Sequence, residues 1–84
     1  MNTRKFDALI LARRGDPGSE KVLELADRLG VNVRVVYVDD PGVAQSLHML
    51  GTYETPALVT GRGIYPGARL AEAALRELAR VSSN

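Results

Sequence analysis

Apolar residues along the 84-residue chain occur either in short runs or at helical spacing, and the two patterns alternate. Four runs are rich in aliphatic residues and are bounded by glycine, proline or charged residues, which is typical of strands. They cover Phe6–Arg13, Val31–Val38, Pro56–Thr60 and Ile64–Tyr65. The last two are separated only by Gly61-Arg62-Gly63, which predicts a hairpin. The proline that follows, Pro66, confines the final strand to an edge or an end of the sheet.

Three other segments predict helices. The first begins with Asp16 as N-cap and Pro17 at the first helical position, and it ends before Gly30 as C-cap. Its apolar face has the spacing of a helix and consists of Val22, Leu25, Ala26 and Leu29. A second, short helix is predicted over Pro41–Leu50 and a third over Ala68–Arg80.

The element order is therefore β-α-β-α-β-β-α, an α/β arrangement. Strands joined by a crossover helix run parallel and hairpin strands run antiparallel, so the order predicts a mixed four-stranded sheet with helices on both faces. The length favours a single domain over residues 1–84. Met1–Lys5 and Val81–Asn84 are predicted to be frayed ends.

The composition narrows the chemistry. The chain has no cysteine, which excludes disulfides, thiolate nucleophiles and iron–sulfur clusters. Its net charge of +1 favours neither nucleic acid nor an anionic membrane as a partner. No apolar run is long enough to span a bilayer or to form a signal peptide, so we expect a cytoplasmic protein. His48 is the only histidine, and no motif predicts a metal site or a catalytic residue.

The element order and two proline-containing segments carry a resemblance to the glutaredoxin-type members of the thioredoxin superfamily. In that family a Cys-Pro-x-Cys motif precedes the first helix, and a cis proline opens the third strand. Asp16-Pro17-Gly18-Ser19 falls on the first motif and Glu54-Thr55-Pro56 on the second. The resemblance therefore implies a thioredoxin-like fold in which both cysteines are replaced, and a cis Thr55–Pro56 bond.

A second resemblance is to a cyanobacterial clock-protein family that can adopt a thioredoxin-like fold without catalytic cysteines. Asp16-Pro17-Gly18-Ser19 is similar to a Thr-Pro-Asn-Ser stretch of that family, and Glu54-Thr55-Pro56-Ala57-Leu58 to an Ala-Thr-Pro-Thr-Leu stretch. The two resemblances together imply that this fold persists as a binding module after its redox pair is lost.

The segment at the start of the first helix has two interpretations. Asp16 is suited to cap the helix, because a carboxylate there accepts amide hydrogen bonds and faces the positive end of the helix dipole. Ser19 would act as a nucleophile only with an adjacent base, and nothing in the sequence brings His48 to it. We therefore favour the capping interpretation.

Arginines border the same region. Arg13 and Arg14 precede the first helix, and Arg69 lies in the first turn of the last helix, where a cation opposes the helix dipole. In the predicted fold these positions share one sheet edge with Thr55 and Pro56. We define the candidate groove as Arg13, Arg14, Asp16, Pro17, Ser19, Thr55, Pro56 and Arg69. Its arginines suit a carboxylate or phosphate ligand; the alternative is that they are ordinary solvated surface charges.

Glutathione is the anion that the resemblance suggests. Glutaredoxins usually place an acidic residue just after the glycine that begins the last helix, and this chain has Gly67-Ala68-Arg69 there. Glutathione would therefore bind weakly, through the Thr55 backbone and Arg14. The sequence favours a redox-inactive binding or adaptor domain for a peptide or small anion. The alternatives are a glutathione-handling enzyme-like protein without its own thiol, and a homo-oligomer formed through an exposed strand edge.

Overall fold

A computed structural model of the chain describes residues 6–43 and 54–82. These residues form four strands and two helices, in the order predicted for them. The elements are β1 (Ala8–Ala12), α1 (Pro17–Leu29), β2 (Val33–Tyr37), β3 (Ala57–Thr60), β4 (Gly63–Pro66) and α2 (Ala68–Ser82). The helix predicted over Pro41–Leu50 lies, from residue 44 onward, outside the described residues.

The four strands form one mixed sheet in the order β2-β1-β3-β4. β1 runs parallel to β2, with Ile10 opposite Val35, and antiparallel to β3, with Ile10 opposite Leu58. β3 and β4 form the predicted antiparallel hairpin, and β4 is an edge strand that ends at Pro66. The α/β fold class predicted from the sequence is thereby confirmed.

Alternate residues of β1 point to opposite faces of the sheet, and each face has its own buried cluster. On one face Ile10 and Leu58 pack with Val22 of α1 and Leu75 of α2, and all four side chains are fully buried. Both described helices therefore cover the same face. The other face buries a second cluster, formed by Leu11, Val38 and Ala57. The other predicted helix lies from residue 44 onward outside the described residues, so helices on both faces stay a prediction.

Every strand and the last helix have a boundary that differs from the prediction by one or two residues. β1 ends at Ala12 rather than Arg13, because the Arg13 carbonyl accepts the amide of Asp16 and the chain turns away from the sheet. The last helix continues beyond Arg80 to Ser82, so Val81 is helical and not part of a frayed end. Val81 adds to the apolar stripe of α2, and this spacing supports one more half-turn.

Candidate functional site

The first turn of α1 is closed by its own N-cap. Asp16 has an extended backbone, with φ −89° and ψ 119°, and its Oδ2 accepts the Ser19 amide at 3.0 Å. Pro17 occupies the first helical position, where a missing N–H costs no hydrogen bond. The predicted capping role of Asp16 is confirmed.

Ser19 is held inside this turn. Its side chain is 1% exposed, its hydroxyl donates to Oδ2 of Asp16 at 2.8 Å, and its Oγ accepts the Arg13 amide at 3.0 Å. The hydroxyl thus has both a donor and an acceptor, its carboxylate partner is already engaged as the helix cap, and the residue is closed off from solvent. Such an arrangement fixes the loop before α1, and it does not activate a nucleophile. His48 lies outside the described residues.

Pro56 lies where the first turns of the two helices meet. The Thr55–Pro56 peptide bond is cis. A Cβ placed on Gly18 would lie 3.4 Å from Cδ of Pro56 and 3.7 Å from Cβ of Ala68, which is ordinary van der Waals contact. The Pro56 carbonyl accepts the amide of Gly67 at 2.8 Å. The two segments that resemble the glutaredoxin motifs are therefore neighbours in the structure.

Arg14 is directed toward the end of β2. Its guanidinium pairs with Asp40 and, at 3.3 Å, with Asp39, and its Cζ lies 4.2 Å from the centre of the Tyr37 ring. The hydrogen bond that Arg14 donates to Asp40 raises the pKa of Arg14. Desolvation acts to raise the pKa of Asp39, but hydrogen bonds from its own backbone and from Arg14 outweigh it, and the pKa lies below its ordinary value.

The other two arginines of the candidate groove are exposed to solvent. Arg13 borders a cleft of about 270 Å³ that the Tyr37 ring and Leu23 also line. Arg69 is the second residue of α2, in a first turn that contains no acidic residue. Arg14 thus contacts Tyr37 and the two aspartates, whereas Pro56 and Ala68 flank Gly18. That all three arginines border one groove with Pro56 stays a prediction.

Sequence reasoning missed two acidic contributions. Gly67 has a φ of +88°, and a Cβ placed on it would lie 3.1 Å from Oε2 of Glu54. Glu54 thus brings a carboxylate to the start of α2, where the residues that follow Gly67 supply none. The sequence signal for this contact is that Glu54 stands two residues before Pro56. The Pro56 carbonyl accepts the Gly67 amide, so Glu54 is held close to the start of α2. The second was the pairing of Asp39 and Asp40 with Arg14, which lies at the far end of the preceding strand and helix in sequence.

The described part of the chain adds two observations about other kinds of site. Within residues 6–43 and 54–82, no group of three or more His, Cys, Asp or Glu side chains is placed to hold a metal ion. Neither described helix is both long and apolar enough to cross a membrane.

The sheet order and the paired motifs define a glutaredoxin-like thioredoxin fold. The chain is similar to the crystal structure of the glutaredoxin grx-1 from Archaeoglobus fulgidus, with a TM-score of 0.71 and 28% identity over 89% of this chain and 87% of that one. It is also similar to the solution structure of a glutaredoxin from Brucella melitensis, with a TM-score of 0.64 and 20% identity over 98% and 91% of the two chains. No protein-family model and no curated protein matches the sequence.

Proposed function

We propose that this chain is a redox-inactive glutaredoxin-like domain that binds an extended peptide or a small anion in the candidate groove. The observation that carries the proposal is that Gly18 lies beside Pro56 and Ala68, so closely that a Cβ placed on it would be in van der Waals contact with both. It keeps the surface beside the cis proline assembled, although Asp16 and Ser19 replace the two residues that would carry thiols. Without a thiol in the chain, binding is the role left to this surface.

The backbone of Thr55 supports an extended ligand. Among the described residues, no hydrogen bond occupies the N–H or the C=O of Thr55, and the residue is only half-buried. An extended peptide could pair with these two groups in the manner of an added strand. Main-chain hydrogen bonds would then supply affinity, and the side chains that line the groove would supply selectivity.

The charge of the groove favours an acidic ligand. Asp16 already accepts the Ser19 amide, so an anion would gain less from the N-terminus of α1 than from Arg13 and Arg69. Both arginines are exposed, and exposed charges act mainly on association rate and salt dependence. Arg14 would contribute only after leaving Asp39 and Asp40.

Gly18 allows a direct test, because a side chain there grows over Pro56. A fluorescein-labelled acidic peptide is titrated into the wild type, Gly18→Ala and Gly18→Trp, and fluorescence anisotropy reports binding. The alanine has room at 3.4 Å and should bind as the wild type does, whereas tryptophan should weaken binding at least about tenfold by filling the surface. Equal binding by all three folded proteins would show that the peptide does not use this surface.

Glu54 favours the second candidate, glutathione handling. A carboxylate beside Gly67 is suited to bind the amino group of glutathione. The residues that follow Gly67 in the sequence, Ala68 and Arg69, offer no such carboxylate. The test compares wild type and Glu54→Gln by NMR titration with S-methylglutathione, which needs no thiol chemistry. Binding that is weakened by Glu54→Gln would support glutathione handling. No binding to either protein, together with retained binding of the acidic peptide, would exclude this candidate and leave the first.

A further inference from the structure

Arg14 joins the loops that follow β1 and β2. Because the two strands run parallel, their loops leave the sheet at the same edge. The Arg14 amide donates to Oδ1 of Asp39 at 3.4 Å, and its guanidinium donates to Oδ2 of the same carboxylate at 3.3 Å. Asp39 thus binds both the backbone and the side chain of one residue in the loop before α1.

Asp40 binds the same guanidinium through both of its carboxylate oxygens. Nη1 of Arg14 donates to Oδ1 and Nη2 donates to Oδ2, which is the two-pronged geometry in which arginine binds a free carboxylate or a phosphate. The Tyr37 ring lies against one side of the guanidinium, 4.2 Å from Cζ to the ring centre. Asp39 and Asp40, which we call the acidic pair, therefore occupy Arg14 as an acidic ligand of the candidate groove would.

This contact lies at one side of the candidate groove. The cleft of about 270 Å³ is lined by three members of that groove, Arg13, Arg14 and Ser19, and also by Glu20. Glu20 and the acidic pair bring three carboxylates to the two guanidiniums. On this side the charges thus favour an acidic ligand only after the acidic pair has left Arg14.

The acidic pair can be exchanged for a ligand at little cost. The side chains of Arg14, Asp39 and Asp40 are 53%, 34% and 44% exposed. Ion pairs so open to water are weak, because water solvates the separated charges nearly as well. A ligand carboxylate that takes over the two guanidinium N–H groups restores the same hydrogen bonds, and only side chains have to rotate.

We propose that the acidic pair is an internal competitor: it occupies Arg14 in the free protein, and a peptide with two adjacent acidic side chains displaces it. This inference rests on the proposed function, since it concerns the same groove. Two acids are required of the peptide because a single carboxylate replaces only one of the two that Arg14 already binds. The competitor therefore selects against weakly acidic ligands.

Fluorescence anisotropy of a fluorescein-labelled peptide with an Asp-Asp sequence tests the proposal. Asp39→Asn/Asp40→Asn should bind it at least about threefold more tightly than the wild type, because Arg14 is then free. Glu24→Gln/Asp27→Asn is the matched control, since it removes two exposed carboxylates from α1 and changes the net charge equally. Its affinity should stay within about twofold of the wild type at physiological salt.

Arg14→Gln separates competition for Arg14 from a general effect of charge. In the Asp39→Asn/Asp40→Asn chain it should remove the gain in affinity. In the otherwise wild-type chain it should weaken binding less, because the peptide there gains Arg14 only by displacing the acidic pair. Replacing one aspartate of the peptide by asparagine should weaken binding to the wild type more than binding to Asp39→Asn/Asp40→Asn. Thermal unfolding shows that each variant is folded.

The outcomes distinguish this inference from the proposed function. Suppose that the wild type binds the peptide, that Gly18→Trp weakens this binding, and that Asp39→Asn/Asp40→Asn binds no more tightly than the control. The internal competitor is then overturned and the proposed function stands. A gain that persists in the presence of Arg14→Gln would also overturn it, as would equal discrimination between the two peptides by both chains. Absence of binding to every variant would overturn both proposals.

Discussion

The hydroxyl of Ser19 lies 2.8 Å from the same Asp16 oxygen that accepts the Ser19 amide at 3.0 Å. One carboxylate oxygen thus accepts hydrogen bonds from the backbone amide and from the hydroxyl of a residue that is 1% exposed. In the resembling family these two positions carry the reactive thiols. Here the same pair stabilises the start of α1, and its removal should be felt as a loss of stability.

Replacing Asp16 by alanine should lower the free energy of unfolding by about 1–2 kcal/mol, because the Ser19 amide and the buried hydroxyl both lose their acceptor. Urea denaturation measures the loss. Asp27→Ala is the control, since Asp27 is an exposed acid near the C-terminus of the same helix, where the dipole does not favour it. If both variants lose the same stability, the Asp16 contacts do not stabilise the fold.

The double variant Asp16→Cys/Ser19→Cys should form an intramolecular disulfide and reduce a model disulfide. The two positions lie in the first turn of one helix, and helix amides lower the pKa of a thiol placed there. Mass spectrometry and thiol titration, before and after oxidation, measure pairing. Thiols that cannot pair would show that these positions do not correspond to the Cys-Pro-x-Cys motif. Ser19→Cys alone, with no partner thiol, should remain reduced.

Arg69→Ala should leave the stability unchanged or raise it by up to about 1 kcal/mol, because a cation in the first turn of α2 opposes the helix dipole. The same change should weaken binding of the acidic peptide, and the loss should shrink as salt is added. Arg80→Ala is the matched control, since Arg80 lies in the last turn of α2 and pairs with Glu77 at 2.7 Å. That variant should not gain stability. A destabilised Arg69→Ala with unaltered peptide binding would assign Arg69 a structural role.

The decrease in the free energy of unfolding at acidic pH should depend on Asp39. Its pKa is lower in the folded chain than its ordinary value, so its contribution is present above the ordinary pKa and is lost as the pH falls through the folded one. Asp39→Asn should therefore be less stable at neutral pH and should have a flatter curve between about pH 5 and pH 2. Denaturation at a series of pH values measures both. Identical decreases at acidic pH in the wild type and the variant would contradict the role of this pair.

The sequence was sufficient for the order of the described elements because their signals are local. A β-branched run around Val35, a proline at Pro66 and a glycine at Gly30 each determine one element or its end, and the structure has them as predicted. The ends of elements depended on contacts that pattern does not report. The turn from Arg13 to Asp16 shortened β1, and α2 continues to Ser82, two residues beyond its predicted end at Arg80.

The site was predictable in part for the same reason. The Asp16 cap is local, and the structure confirmed it. The pairing of Arg14 with Asp39 and Asp40 joins residues 25 and 26 positions apart, and a periodicity analysis does not show which surface charges meet. The approach of Glu54 to Gly67 depends on how the chain turns at Pro56, and no local pattern in the sequence encodes that turn.

The inner position of β1 in the sheet has a consequence for synthesis on the ribosome. Ile10 pairs with Val35 on one side and with Leu58 on the other, so the first strand of the chain is completed by one of the last. Closing so long a loop costs entropy before any contact is gained. A nascent chain can form β1, α1 and β2 early, yet one edge of β1 stays open until β3 emerges. The backbone N–H and C=O groups along that edge of β1 therefore stay unpaired until β3 is synthesised, and slow decoding of the residues before β3 would lengthen that interval.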